Sequence, residues 1–221
     1  MKKNLICKSV YDLRTLRFLL NLGITSFSFD LSPKSSNFVP EFTLFNSLLP
    51  ELTNGEEVFF HFENFDDIMI TRLQKKIEEI DNKKFNYYLD IKNLDCNFDN
   101  QISSSFFIDH SQYDKLSKYQ KNVPSGLFID YAFLDNLLLL NNFSNFVYNF
   151  HFRNSSFLNN GNRLVCDFKF IESVKYNLLD YFDFTDYSIN INPNLEICYR
   201  NVDLKLLSEG IRILRENVIN N

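Results

Sequence analysis

Short apolar runs rich in Phe, Ile and Tyr alternate along this chain with longer segments whose apolar residues recur at helical spacing. The short runs predict β-strands and the longer ones predict α-helices, an order typical of a parallel sheet with crossover helices. The pattern predicts strands over residues 4–8, 25–30, 57–62, 85–91, 104–109, 126–130 and 186–191. It predicts helices over residues 11–22, 40–49, 65–80, 172–182 and 202–218.

Two runs compete for the place of the seventh strand. Both 146–152 (FVYNFHF) and 163–170 (RLVCDFKF) have the composition of strands, and the Asn-Asn-Gly at 159–161 would let them pair as a hairpin. Either one completes a set of eight strands and leaves the other as an extra. Residues 1–221 are therefore predicted to form one domain of the α/β class, a single (βα)8 (TIM) barrel.

Composition narrows the possible partners. The 221 residues suit one barrel, and the 25 Phe and 11 Tyr, with no Trp, are interpreted as compositional drift rather than a stacking surface. A net charge of -5 argues against a nucleic-acid partner. Only 5 glycines are present, which matters because loops that wrap phosphate usually need them.

The cysteines and the absence of long apolar runs indicate the cellular compartment of the protein. The four cysteines, Cys7, Cys96, Cys166 and Cys198, form no CxxC pair, and the apolar stretch at the start of the chain is too short for a signal peptide. No run approaches the roughly 20 apolar residues of a membrane span. We therefore expect a reduced, cytoplasmic chain that does not enter a membrane.

The first forty residues carry a family resemblance. The run ICKSVYDLRTLRFLLNLGITSFSFDLSPKSSNFV resembles the opening of phosphoribosylanthranilate isomerase, in which Ile-Cys-Gly ends the first strand, Gly-Phe-x-Phe forms the second, and Lys-Ser-x-Arg-x-Ile/Val follows. The matching residues are Ile6, Cys7, Gly23, Phe27, Phe29, Lys34, Ser35 and Val39. Similarity continues at FID (128–130), at DYSININ (186–192) and in the closing helix, so it spans nearly the whole chain.

The resemblance implies an enzyme of tryptophan biosynthesis that performs an Amadori rearrangement on a small phosphorylated substrate. The reaction needs a general acid to open the ribose ring and a general base to take a proton from C2. Carried over to this chain, the base is Cys7 and the acid is Asp130, facing one cavity at the C-terminal ends of the strands. A thiolate acts as a base only if its surroundings lower its pKa, and Lys8 is a candidate helper.

The chain departs from the family where the phosphate is held. The family uses glycine-rich loops after strands six, seven and eight, because backbone N–H groups approach phosphate closely where no Cβ intervenes. Here YAFLDNLLLL follows Asp130 directly, and the Gly-Gly after strand seven becomes Arg153-Asn154 or Phe168-Lys169. After the last strand, Ser-Gly becomes Ile189-Asn190. Arg153 and Lys169 are then the candidate phosphate contacts.

A second departure concerns the carboxylate of anthranilate. The family holds it with the Arg of Lys-Ser-x-Arg, and Asn37 stands at that position. Asn cannot supply the charged, two-pronged contact that Arg gives. Asn37 and Ser188, which lies in the last strand, are the further candidate substrate contacts.

Three functional interpretations remain open at this point. The departures favour a diverged member of the family whose isomerase activity is in doubt. The alternatives are a working isomerase that uses Cys7 and Asp130, and a non-catalytic binding or interaction barrel. The three histidines, His61, His110 and His151, lie at or near strand ends and could meet Asp109 and Asp130 at the barrel mouth as a metal or acid–base cluster. They show no metal-ligand spacing, so neither a metal nor another cofactor is predicted. The sequence leaves the oligomeric state open.

Overall fold

Eight parallel strands form the centre of the molecule. The computed structural model describes residues 3–53, 55–64, 68–79, 85–93, 105–118, 123–169 and 175–219. The strands pair in chain order and the eighth pairs with the first, which closes a barrel. They are β1 (Asn4–Lys8), β2 (Ser26–Asp30), β3 (Glu56–Asn64), β4 (Phe85–Asn93), β5 (Phe106–Asp109), β6 (Gly126–Asp130), β7 (Arg163–Phe168) and β8 (Asp186–Asn190). The predicted (βα)8 barrel is thus confirmed.

Helices and helical turns surround the strands. The helices are α1 (Leu13–Asn21), α2 (Glu41–Thr43), α3 (Ile68–Glu79), α4 (Tyr131–Leu139), α5 (Phe143–Arg153), α6 (Ser155–Asn159) and α7 (Leu204–Leu214). The π-turns cover Leu44–Leu48 and Arg215–Ile219, and the 3-10 turns cover Leu49–Glu51, His110–Lys118, Tyr176–Tyr181 and Pro193–Leu195. A hairpin of β9 (Glu196–Cys198) and β10 (Asn201–Val202) precedes α7. None of the described helices is both long and apolar enough to span a bilayer.

Helix α1 illustrates how local sequence sets an element. The carboxylate of Asp12 accepts a hydrogen bond from the backbone N–H of Thr15 at 2.8 Å, which caps the start of the helix. Leu16 and Leu19 are fully buried against the barrel. Gly23, at φ 72°, follows the helix in the left-handed conformation that Gly adopts without strain.

The prediction of a strand over 146–152 is wrong. These residues lie inside α5, where Phe143, Phe146 and Phe150 are buried. Residues three, four and seven positions apart share one face of a helix, so this aromatic run buries its rings as a helix despite its strand-like composition. The seventh strand is β7, which answers the question that the sequence left open.

The predicted hairpin between 146–152 and 163–170 is also wrong. The residues before the proposed turn form α6, and Gly161, at φ 74°, adopts a left-handed conformation just before β7 begins. The predicted helix over 172–182 lies partly outside the described residues, and its described part is the 3-10 turn that starts at Tyr176. Cys96 also lies outside the described residues.

Side chains of the strands alternate between an outer core beneath the helices and an inner core inside the barrel. The inner core consists of Ile6, Phe59, Phe107, Phe128 and Val165, with Tyr88 packed against it. The rings of Phe59 and Phe107 meet edge to face at 5.1 Å between centroids. Aromatic side chains therefore fill the barrel, as layered side chains do in this architecture.

An ion-pair cluster closes the N-terminal end of the barrel. The guanidinium of Arg163 donates to Asp186 at 2.8 Å and to both carboxylate oxygens of Glu57 at 2.9 and 3.1 Å. Beside the cluster lies a cavity of about 620 Å³, and His151 contributes to its lining together with Arg163. The C-terminal part of α5, which carries His151, is therefore at the end of the barrel where the strands begin.

Candidate functional site

The C-terminal ends of the strands present a ring of charged side chains on the inner side of the barrel. All of these residues but Asp30 follow, by two positions, a residue that belongs to the inner core or packs against it, as Lys8 follows Ile6 and Asp109 follows Phe107. Asp30 follows the buried Ser28 in the same way, and side chains two apart share a face of a strand. We call this set the mouth cluster. It comprises Lys8, Asp30, His61, Asp90, Asp109, Asp130 and Asp167, from β1 to β7 in order.

Sequence reasoning named only Asp109 and Asp130 of these aspartates as candidate functional residues. The signal that could have found the others is a repeated strand ending, an apolar run that closes on Asp. The repeats are SFSFD (26–30), YYLD (87–90), FFID (106–109), LFID (127–130) and LVCD (164–167). Since strand ends meet at one edge of a parallel barrel, this repetition predicts a collection of carboxylates at the mouth.

Lys8 lies at the centre of the cluster. Its ammonium is 3.2 Å from a carboxylate oxygen of Asp167 and 3.4 Å from one of Asp90, and it lies 3.9 Å from the centre of the Phe128 ring. Burial alone would lower the pKa of Lys8, but Asp167 and Asp90 outweigh that effect and hold it above its ordinary value. Lys8 is thus a buried, fixed positive charge.

His61 and Asp90 form a pair beside Lys8. Nδ1 of His61 is 3.0 Å from the Asp90 carboxylate, and Asp30, His61 and Asp90 occupy paired register positions on adjacent strands. Burial opposes the charged imidazole, yet Asp90 raises the pKa of His61 above its usual value. Burial likewise opposes the charged carboxylate, yet Lys8 and His61 lower the pKa of Asp90.

The next two strands of the barrel, β5 and β6, bring Asp109 and Asp130 to the mouth. Asp130 accepts a hydrogen bond from the backbone N–H of Ala132 at 2.8 Å, which caps α4, and it is ion-paired with Lys169 just beyond β7. Asp109 lies 3.4 Å from Nδ1 of His110. Burial opposes ionisation of Asp109, but His110 and the backbone N–H of Ser111 lower its pKa. Asp130 is therefore a helix-capping residue with an ion-pair partner.

Cys7 does not face the mouth. It belongs to the outer core with Leu5, on the other side of β1 from Ile6 and Lys8, and its side chain is fully buried. Burial raises the pKa of the Cys7 thiol to about 12, against a smaller lowering by Arg215. The expectation that Cys7 and Asp130 share one cavity is not met, because strand alternation places Lys8 inward instead.

Ser188 and Asn37 lie near the mouth, and their side chains have partners within the protein. The hydroxyl of Ser188 donates to Asp167 at 2.8 Å, which ties β8 to the cluster. The amide nitrogen of Asn37 donates to the backbone carbonyl of Ile191 at 2.6 Å, joining the segments that follow β2 and β8. The carbonyl oxygen of Asn37 is buried and has no hydrogen-bond partner among the described residues.

Arg153 does not lie at the mouth, where the predicted contact with a phosphate would require it to be. That prediction required 146–152 to be the seventh strand, and the run is a helix. Arg153 is the last residue of α5, two positions after His151, which lines the cavity at the opposite end of the barrel. Of the two candidate phosphate contacts, only Lys169 follows the C-terminal end of a strand.

The mouth cluster can hold and move protons. It combines a histidine with one nitrogen on a carboxylate, a fixed ammonium, and several carboxylates, the groups that general acid–base chemistry uses. Among the residues that the structure describes, no three His, Cys, Asp or Glu side chains are grouped so as to hold a metal ion.

Structural comparison finds the same fold in solved isomerases, although no family model and no curated protein sequence matches the chain. Monomers of the dimeric phosphoribosylanthranilate isomerase from Thermotoga maritima align with a TM-score of 0.66 and 11% identity over 97% of this chain and 99% of that one. The isomerase from Thermus thermophilus aligns with a TM-score of 0.57 and 10% identity over 96% and 98%.

A third isomerase structure contains reduced 1-(o-carboxyphenylamino)-1-deoxyribulose 5-phosphate. It aligns with a TM-score of 0.62 and 10% identity over 99% of this chain and 100% of that one. At such identities the likeness concerns the fold. The chain therefore has the complete barrel fold of the phosphoribosylanthranilate isomerases.

Proposed function

We propose that this chain is a diverged barrel of the phosphoribosylanthranilate isomerase fold that binds a small polar molecule at its mouth and does not carry out the isomerisation. The observation that carries the proposal is which side chains of β1 point into the barrel. Lys8 enters the mouth, whereas Cys7, the base that the family resemblance implies, is buried beneath the helices. A buried thiol whose pKa is raised to about 12 is a poor source of thiolate at neutral pH.

The remaining substrate-binding groups support the same proposal. Helix α4 starts directly after Asp130, which leaves no loop there to wrap a phosphate. Lys169 is engaged by Asp130, and the amide of Asn37 is engaged by Ile191. The mouth cluster contains five aspartates, whereas Lys8 and the neighbouring Lys169 are the lysines beside them. A phosphate dianion would therefore meet a net negative charge.

A working isomerase with a small phosphorylated substrate is the alternative. Its support is the alignment over nearly the whole length with an isomerase that holds a phosphorylated ligand, and the place of Asp130 at the mouth. This alternative requires the Cys7 thiol to reach the mouth. Both versions assume a cytoplasmic protein, for which the free state of Cys7, Cys166 and Cys198 is the support.

Complementation tests the proposal. The chain is expressed in a tryptophan auxotroph that lacks this isomerase, beside an active isomerase as positive control and the Cys7→Ala and Asp130→Asn variants. We expect no growth without tryptophan, and no turnover of phosphoribosylanthranilate by the purified chain. Growth that is abolished by Cys7→Ala would instead establish the isomerase and overturn the proposal.

A further inference from the structure

The His61–Asp90 pair has the geometry of an oriented acid–base group. Nδ1 of His61 is held by Asp90 at 3.0 Å, and Nε2 has no hydrogen-bond partner in the part of the chain that the structure describes. A carboxylate on one imidazole nitrogen fixes the orientation of the ring and leaves the other nitrogen to exchange a proton. The side chain of His61 is 24% exposed, whereas that of Asp90 is 3% exposed, so the histidine is the member that a ligand can reach.

A chain of polar contacts holds this pair in place across the mouth. Asp90 also contacts Lys8 at 3.4 Å, Lys8 contacts Asp167 at 3.2 Å, and Asp167 accepts from Ser188 at 2.8 Å. All five side chains, including that of His61, are carried by strands of the closed barrel rather than by loops. Groups on rigid elements keep the geometry that proton transfer needs.

Lys8 supplies the second element of the site. Its ammonium donates a hydrogen bond to Asp167 and is ion-paired with Asp90, and the centre of the Phe128 ring lies 3.9 Å away. A positive charge held at this place can stabilise an oxygen atom that gains negative charge in a reaction. A buried ammonium stabilises such an oxygen strongly, because few water molecules screen it.

We propose that the mouth catalyses proton transfer at the carbon next to the carbonyl group of a small, unphosphorylated hydroxy-carbonyl compound, with His61 as the acid–base residue. This inference rests on the proposed function, since it requires the mouth to bind a ligand other than the isomerase substrate. The excess of aspartates at the mouth is the reason for excluding a phosphate from the ligand class.

The step balances without a further reactant. Nε2 of neutral His61 takes the proton from the carbon, and the electron pair of that C–H bond forms a C=C bond. The π electrons of the carbonyl move to its oxygen, where Lys8 balances the charge of the enolate. When the proton on Nε2 returns to the same carbon, the C=O bond of the starting compound is restored. When a proton first shifts between the two oxygens, Nε2 protonates the former carbonyl carbon instead, and the new C=O bond forms at the neighbouring carbon.

Deuterium exchange tests this step. The purified chain is incubated in D2O with dihydroxyacetone, with glycolaldehyde, or with dihydroxyacetone phosphate as the phosphorylated comparison, and loss of the α-proton signal is followed by NMR. We expect exchange about 100-fold or more above buffer with an unphosphorylated compound, a contribution typical of general acid–base catalysis. Exchange at the buffer rate with both unphosphorylated compounds overturns the inference, as does faster exchange with the phosphate ester.

Variants assign the exchange to His61. His61→Gln should return it to the buffer rate, and Asp90→Asn should slow it and move the midpoint of its pH profile to lower pH. His151→Gln, at the other end of the barrel, is the matched control and should leave the rate unchanged. Circular dichroism and thermal unfolding confirm that each variant is folded, and undiminished exchange in folded His61→Gln contradicts the assignment.

The two proposals fail in different ways. Growth of the auxotroph that depends on Cys7 would overturn the proposed function. Absence of both growth and exchange would leave the proposed loss of isomerase activity intact and remove the role of His61.

Discussion

Cys7 and Lys8 are consecutive residues of β1, yet they face opposite sides of the barrel wall. The thiol of Cys7 lies in the outer core, and the ammonium of Lys8 lies 3.2 Å from Asp167 inside the mouth. Because side chains alternate along a strand, the residue that faces inward decides which chemistry the first strand can contribute. In this chain that residue is a lysine held between two carboxylates.

Thiol labelling should distinguish the cysteines by their surroundings. Cys198 is exposed, whereas Cys7 and Cys166 are fully buried, and burial raises the pKa of both buried thiols. We expect iodoacetamide to modify Cys198 rapidly in the native protein and the other two only after denaturation. Mass spectrometry of the labelled peptides measures each rate, and native labelling of Cys7 as fast as Cys198 would contradict its placement.

Lys8→Met should destabilise the protein strongly. The substitution leaves the buried carboxylates of Asp90 and Asp167 without their shared cation, and loss of one partner of a buried pair costs about 3–5 kcal/mol. Urea unfolding measures the change in free energy. Adding Asp90→Asn to Lys8→Met should recover part of the loss, because it removes one of the two uncompensated charges.

Lys175→Met is the matched control for that measurement. Lys175 is ion-paired with Asp135 at 2.7 Å, but its side chain is 46% exposed. Exposed pairs contribute little to stability because water screens them. If both lysine variants unfolded at the same urea concentration, the central place of Lys8 in the mouth would be contradicted.

Arg163→Met should destabilise the opposite end of the barrel. Its guanidinium neutralises Glu57 and Asp186, so its loss leaves two carboxylates facing each other, at an expected cost of about 3 kcal/mol. Arg163→Lys keeps the charge but loses the two-pronged contact, so its free energy of unfolding should lie between those of the wild type and Arg163→Met. Arg212→Met, which removes a largely exposed pair with Glu216, should unfold near the wild-type midpoint.

The sequence predicted most of the fold because strand periodicity is visible in it. SFSFD alternates in the period of two that a strand requires, and the other short runs rich in Phe, Ile and Tyr have the composition of strands, so seven strand positions followed from such runs. Helix α5 was missed because Phe143, Phe146 and Phe150 satisfy a helical period within a composition that favours strands.

The candidate site was harder to predict from sequence than the fold. The run NLICK is short, and either Cys7 or Lys8 could face inward until the barrel closes. The contact between Lys8 and Asp167 joins residues 159 positions apart, and local pattern carries no information about such a pair. The family resemblance directed attention to Cys7, whereas the strand-terminal aspartates were the local signal for the mouth.

Stability should depend on pH through His61. The pKa of His61 is raised in the folded protein, because Asp90 outweighs the effect of burial. The protonated imidazole therefore adds to the free energy of unfolding, and this contribution is fully present below the unfolded pKa of about 6.5. That contribution is lost as pH rises through the higher folded pKa. The stability difference between wild type and His61→Gln, from urea unfolding, should therefore be larger near pH 6 than near pH 9. A difference that grows with pH would show that Asp90 does not stabilise the imidazolium.

Gly126→Ala tests the packing of the barrel interior. A Cβ at this position would overlap the ring of Phe107, which lies in the inner core against Phe59 and Phe128. Overpacking of this kind costs about 1–3 kcal/mol, and urea unfolding should register that loss.

Phe107→Leu provides the compensating change, because a smaller side chain leaves room for the added methyl group. Alone it should destabilise the protein through lost aromatic contacts, such as the edge-to-face contact with Phe59 at 5.1 Å. Combined with Gly126→Ala, it should cost less than the sum of the two single changes, since neighbouring residues do not contribute independently. Strict additivity in this double-mutant cycle would mean that the two positions do not touch, and the interior packing described for β5 and β6 would be incorrect.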